Sequence, residues 1–81
     1  MKLPRDLSGR DLAHVLKAFG YQVTRETGSH LRLTTTERGQ HHLTIPDHQS
    51  LRVGTLAAIL ADVSMHFKLD RTEIVRRLFS A

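Results

Sequence analysis

The 81-residue sequence has no cysteine, no tryptophan and only one tyrosine. Without cysteine there is no disulfide staple and no thiolate to act as nucleophile or metal ligand, and nothing points to an oxidising compartment. With Tyr21 as the sole large polar aromatic, there is no ready stacking platform for nucleobases. No run approaches the ~20 apolar residues of a membrane-spanning helix, and Met1-Lys2 is not followed by a signal-like apolar segment. A cytoplasmic location without a membrane partner is therefore expected. A chain of this length reads as one small domain over 1–81. Such a domain buries about 60–65% of its unfolded surface, so its 40% apolar content supports one modest core.

Charge is the first positive signal. Nine arginines and three lysines face eight carboxylates, for a net charge of +4, and there are six histidines. A basic balance favours a polyanionic partner such as RNA or DNA. The preponderance of arginine adds to this, because guanidinium binds phosphate bidentately and stacks on bases.

The pattern along the chain predicts an α+β domain. Ser8 is a suitable N-cap, with Asp11 three residues on in a box-like arrangement. Leu12, Val15, Leu16 and Phe19 recur at helical spacing, so a first helix is expected over Gly9–Phe19, closed by Gly20. Tyr21–Thr27, His30–Thr35 and His41–Ile45 read as three strands, with Gly28 expected in a left-handed conformation in a three-residue hairpin loop. Glu37-Arg38-Gly39-Gln40 is a turn, and Pro46 ends the third strand because it cannot donate to a ladder. After a loop over 47–53, Leu56, Ile59, Leu60 and Val63 form an apolar helical stripe. Asp70 and Glu73 resemble a second capping box for a last helix, over about 70–80, carrying Ile74, Val75, Leu78 and Phe79. The expected architecture is a three-stranded antiparallel sheet with its helices on one face, in the order α-β-β-β-α-α.

Alternation assigns the faces. Pairing Thr35 with His41 sets Leu33 opposite Leu43, Leu31 opposite Ile45, Arg32 opposite Thr44 and Thr34 opposite His42. In the first hairpin, a Glu26-Thr27-Gly28 loop would set Val23 opposite Leu31, Tyr21 opposite Leu33, His30 opposite Thr24 and Arg32 opposite Gln22. A one-residue slip would bury His30 and Arg32 and expose the leucines. His30, Arg32 and His42 are thus expected on the outer face with Gln22, Thr24, Thr34 and Thr44. Adjacent His41 and His42 point to opposite faces and are poorly placed to share a metal ion with each other or with His48, so no metal site is assigned.

Gly28-Ser29-His30 at a turn into a strand, Ile45-Pro46 at the end of the next, and Gly54-Thr55-Leu56 opening a helix occur in an order that resembles the HicA family of toxin endoribonucleases. The resemblance runs from about Asp6 to Val63, and the last helix extends beyond it. It implies a double-stranded-RNA-binding-domain-like fold, attack on single-stranded or messenger RNA, and a HicB-type antitoxin as protein partner. It also implies that His30, the histidine of the Gly-Ser-His element, is catalytic. Many family members carry a second histidine directly after it, where this chain has Leu31, an inward position.

RNA supplies its own nucleophile in the 2′-hydroxyl, so a group to take that proton, a cation to stabilise the phosphorane and an acid for the leaving oxygen suffice without a cofactor. Histidine suits the first role, with an unperturbed pKa of about 6.5. Arg32 lies two residues along the same face and is placed to bind the phosphate, with Arg25 and Arg52 as further RNA contacts and His42 as a second acid–base group. Gly28 and Ser29 are expected to support the site as turn residues. Two other readings stand beside this one: a non-catalytic RNA-binding module on the same fold, and a protein-interaction domain whose last helix pairs with a partner or with a second copy in a homodimer.

Overall fold

Ser8 starts the first helix as expected. Its hydroxyl accepts from the Asp11 N–H at 2.9 Å, and the Asp11 carboxylate accepts from the Ser8 N–H, completing a capping box. The computed structural model describes residues 3–80; positions 1, 2 and 81 of the expected domain lie outside the described residues. Helix α1 spans Gly9–Val15 and then tightens into a 3-10 turn over Leu16–Phe19, where a continuous helix was expected. The tighter turn still delivers Leu16 and Phe19 to the core, since residues three apart eclipse in that geometry. Gly20 follows at φ 81°, a left-handed position that suits glycine.

Strands β1 (Gln22–Glu26), β2 (His30–Thr35) and β3 (His41–Pro46) form one antiparallel sheet in that order. Every expected β2–β3 pair is present, and the ladder continues to His30 opposite Pro46. The β1–β2 register differs. Gln22 pairs with Thr34 and Val23 with Leu33; a bulge at Thr24 then shifts the frame, so Arg25 pairs with Arg32 and Glu26 with Leu31. Val23, expected in the core, is 41% exposed. Strand β1 has only one apolar residue, so its own pattern does not pin the pairing.

The loop joining these strands is Thr27-Gly28-Ser29, closed by the Thr27 N–H donating to the His30 carbonyl at 3.0 Å. Gly28 does not adopt a positive φ, contrary to expectation, and a Cβ built there meets nothing within 4 Å. Gly28→Ala is therefore expected to leave stability unchanged or to raise it by about 0.4–1 kcal/mol through the unfolded state. A urea titration would show this, and a loss of more than 1 kcal/mol would contradict the geometry.

Helix α2 (Val53–Phe67) and helix α3 (Arg71–Phe79) pack with α1 on one face of the sheet. The buried cluster joins Leu12, Leu16, Phe19 and Tyr21 to Leu31, Leu33, Leu43 and Ile45 of the sheet and to Leu56, Leu60, Val63 and Ile74 of the helices. Leu51 and Thr35 are buried as well; the Thr35 hydroxyl donates to the Phe19 carbonyl at 2.8 Å and accepts from the Glu37 N–H. The α3 N-terminus lacks the expected box, because Asp70 makes no side-chain cap. Glu73 turns instead to Arg76 and Arg77, whose hydrogen bonds hold its carboxyl down at about 2. Leu78 is buried in the chain's own core and half-buried Phe79 packs against it. No helix among the described residues is long and apolar enough to cross a membrane.

Candidate active site

Among the described residues no helix packs on the second face of the sheet. On it His30, Arg32 and Thr34 lie along β2, flanked by Thr44 and His42 of β3 and by Gln22, Thr24 and Arg25 of β1. All but half-buried Thr34 are exposed. The bulge at Thr24 matters here. Strict alternation would send Arg25 to the same side as Val23; one extra residue inverts the parity and sets Arg25 directly across from Arg32.

His30, Arg25, Arg32, Thr27 and Thr44 line a shallow depression of about 230 Å³. The Ser29 hydroxyl lies 2.9 Å from His30 Nδ1, and no other hydrogen bond among the described residues engages the ring, so Nε2 is the free edge. Directly opposed like charges are unfavourable in a sheet. Among the described residues neither Arg25 nor Arg32 has a carboxylate within ion-pair distance. Such a pair is relieved by an anion bound between the guanidinium groups.

The missing counter-charges are held on the other side of the sheet. Arg10 of α1 forms ion pairs with Glu26 of β1 and Asp47 just beyond β3, each at 2.9 Å. Glu26 reaches it because the bulge also turns this residue toward the helices. The Asp47 N–H in turn donates to the Ser29 carbonyl at 2.9 Å, and the Gly9 N–H donates to the His48 carbonyl at 2.9 Å. The turn before His30 is thereby fastened to the end of β3, and that end to the start of α1.

The other expected residues are placed differently. His42 lies on the outer face, but opposite Thr34, four positions along β2 from His30. At ~3.3 Å per residue that is about 13 Å along the sheet, more than a single phosphodiester linkage spans. Arg52 is exposed at the N-cap of α2, in the helix layer, and does not line the depression. The Gly28 backbone supports the turn without needing to be glycine in the free chain.

His41 faces inward, as alternation predicts, into a cluster that sequence reading missed. The buried Tyr21 hydroxyl lies 2.7 Å from His41 Nδ1, and His41 Nε2 lies 3.2 Å from an Asp62 carboxylate oxygen. Burial, and secondarily the Asp62 charge, push the Tyr21 hydroxyl well above its usual range. The Asp62 carboxylate only accepts, so a neutral His41 carries its proton on Nε2 and accepts from the Tyr21 hydroxyl at Nδ1. The His66 ring stacks on His41 at 4.4 Å. Asp62 and His66 share one face of α2 at i,i+4 spacing, but Tyr21 just before β1 and His41 on β3 are distant in sequence, so no local spacing announces the whole cluster. Among the described residues no group of three or more His, Cys, Asp or Glu side chains is arranged to hold a metal ion.

The order of elements and the open cationic sheet face define a small α+β domain of the double-stranded-RNA-binding-domain-like type, with a histidine at the turn end of its middle strand. Residues 9–65 match the sequence model of the family described as the HicA toxin of bacterial toxin–antitoxin systems. The chain belongs to the HicA toxin family, and α3 lies beyond the matched segment. No curated protein and no solved structure matches the chain at a significant level.

Proposed function

We propose that this chain is the endoribonuclease of a type II toxin–antitoxin pair, cutting single-stranded or messenger RNA without a metal ion or other cofactor. Residues 1–81 act as one unit in the cytoplasm. The observation that supports this reading is the exposed His30 imidazole, tethered by Ser29, sharing one depression with two arginines that have no carboxylate partner among the described residues. In the reaction His30 takes the proton of a ribose 2′-hydroxyl as that oxygen attacks the adjacent phosphorus. The P–O5′ bond breaks, and O5′ leaves with a proton returned by the imidazolium or supplied by water. The products are a 2′,3′-cyclic phosphate and a 5′-hydroxyl. Arg25 and Arg32 hold the non-bridging oxygens and stabilise the charge that grows on them in the phosphorane. The partner is a HicB-type antitoxin whose acidic surface covers the cationic sheet face.

Incubating the chain with a long single-stranded RNA in EDTA and mapping the new ends tests the chemistry. Cyclic phosphate ends support it. RNA that is bound but left intact moves the assignment to a non-catalytic RNA-binding module on the same fold.

Arg32→Ala is expected to lower the cleavage rate about 10²-fold, the scale of removing one donor from a developing oxyanion, with little change in melting temperature. Single-turnover kinetics would measure it. A rate within two- or three-fold of the parent would remove Arg32 from the site.

A further inference from the structure

His42 is tied into a row of side chains that crosses all three strands. The Thr24 hydroxyl donates to the Arg32 carbonyl at 3.3 Å, beside the bulge. Thr24 Oγ1 also lies 2.9 Å from Thr34 Oγ1, and Thr34 Oγ1 lies 2.8 Å from His42 Nδ1.

The direction of this row follows from its anchor. A carbonyl oxygen only accepts and each hydroxyl has one proton, so all three contacts are hydrogen bonds at once only when Thr24 donates to the carbonyl. Thr34 must then donate to Thr24, and its oxygen is left to accept from His42. In its neutral form His42 therefore carries its proton on Nδ1, leaving the Nε2 lone pair directed away from the sheet. His41, one residue earlier and on the opposite face, is held in the other tautomer by Tyr21 and Asp62.

We infer that His42, oriented by Thr34 and Thr24, is a subsite that accepts a hydrogen bond from the ribose 2′-hydroxyl of a nucleotide outside the pair whose linkage is cut. The inference rests on the ribonuclease reading above, because that reading puts RNA on this face. A lone pair is a poor partner for a phosphate oxygen, which is itself an acceptor. It suits a hydroxyl or amine donor. The ~13 Å between His42 and His30 along the sheet exceeds one phosphodiester linkage, so His42 meets a different nucleotide. The 2′-hydroxyl is present on every RNA residue and absent from DNA, so such a contact selects RNA over DNA without reading sequence. Thr24 and Thr34 are positioning residues: they set the tautomer and touch no RNA.

Two measurements test this. The first needs no RNA. Nitrogen-15 spectra of the free chain at pH 8 are expected to show His42 protonated on Nδ1, and Thr34→Val is expected to shift it toward the Nε2-protonated form that unrestrained imidazoles favour. An Nε2-protonated His42 in the parent overturns the inference.

The second measures binding of uridine oligonucleotides, whose bases carry no exocyclic amine, to His30→Ala, which leaves the RNA uncut. A single 2′-deoxy substitution scanned along the oligonucleotide is expected to weaken binding about five-fold at one position, the scale of one net hydrogen bond. His42→Ala added in the same background is expected to weaken the all-ribose oligonucleotide by the same factor and to erase the positional penalty. An unchanged scan overturns the subsite while leaving the ribonuclease reading intact. Dependence on His42 only when adenine, cytosine or guanine is present transfers the contact to a base amine and overturns the 2′-hydroxyl assignment. Absence of RNA binding by the parent and the variants alike defeats both readings together.

Discussion

His30→Ala is expected to reduce RNA cleavage by about 10²–10⁴-fold, the range that one positioned acid–base group contributes. The melting temperature should barely move. The ring is exposed and its only hydrogen bond among the described residues is to Ser29, its neighbour in sequence. Activity and stability are therefore separable at this position. Cleavage and thermal unfolding measured on the same preparations would show a large loss in the first and at most a degree or two in the second. Equal cleavage by parent and variant would place catalysis on another residue or on a contaminant. RNA affinity should persist in the variant, because Arg25 and Arg32 remain to bind the phosphate.

Gly9→Ala is expected to have the largest effect on stability, with a sign opposite to helix propensity. Inside a helix alanine normally exceeds glycine by about 1 kcal/mol. Here a Cβ at position 9 would lie 2.1 Å from the Pro46 carbonyl oxygen and 3.1 Å from its carbonyl carbon. Backbone cannot rotate away as a flexible side chain can, so α1 or the end of β3 must move. The Gly9 N–H to His48 carbonyl bond would be strained with it. Overpacking together with a weakened hydrogen bond gives an expected loss of about 2–4 kcal/mol. For a chain of this size that is a fall in melting temperature of roughly 10–30 °C. The damage should reach the chemistry as well, because Asp47, next to Pro46, holds the Ser29 carbonyl below His30. A melting temperature at or above the parent's would show that α1 does not approach β3 as closely as described.

The two hairpins show what made some of this legible in sequence and some not. Over His30–Thr34 and His42–Ile45 polar and apolar residues alternate, with Leu31, Leu33, Leu43 and Ile45 on one side, and every pair but His30 with Pro46 could be assigned in advance. Strand β1 offers only Val23, and that residue is half exposed. Nothing in its pattern marks the bulge at Thr24, so the first hairpin was displaced in register. The outward placement of His30 and Arg32 survived because β2 alone determines it. The proximity of Arg25 to them depends on the bulge. Contacts such as Gly9 against Pro46, or Tyr21, His41 and Asp62 in one chain of hydrogen bonds, join residues far apart in sequence and leave no local trace. Asp70 had the right spacing for a capping box, but Glu73 is engaged by two arginines instead.

A three-stranded sheet has two open borders along which a foreign strand can add. At β1 the irregularity at Thr24 interrupts the row of backbone donors and acceptors and twists the strand locally. At the other border β3 ends in Pro46, which has no N–H to offer. Both borders are therefore poor templates for sheet growth. A strand added at either border would meet an interrupted ladder at β1 or a missing donor at the end of β3.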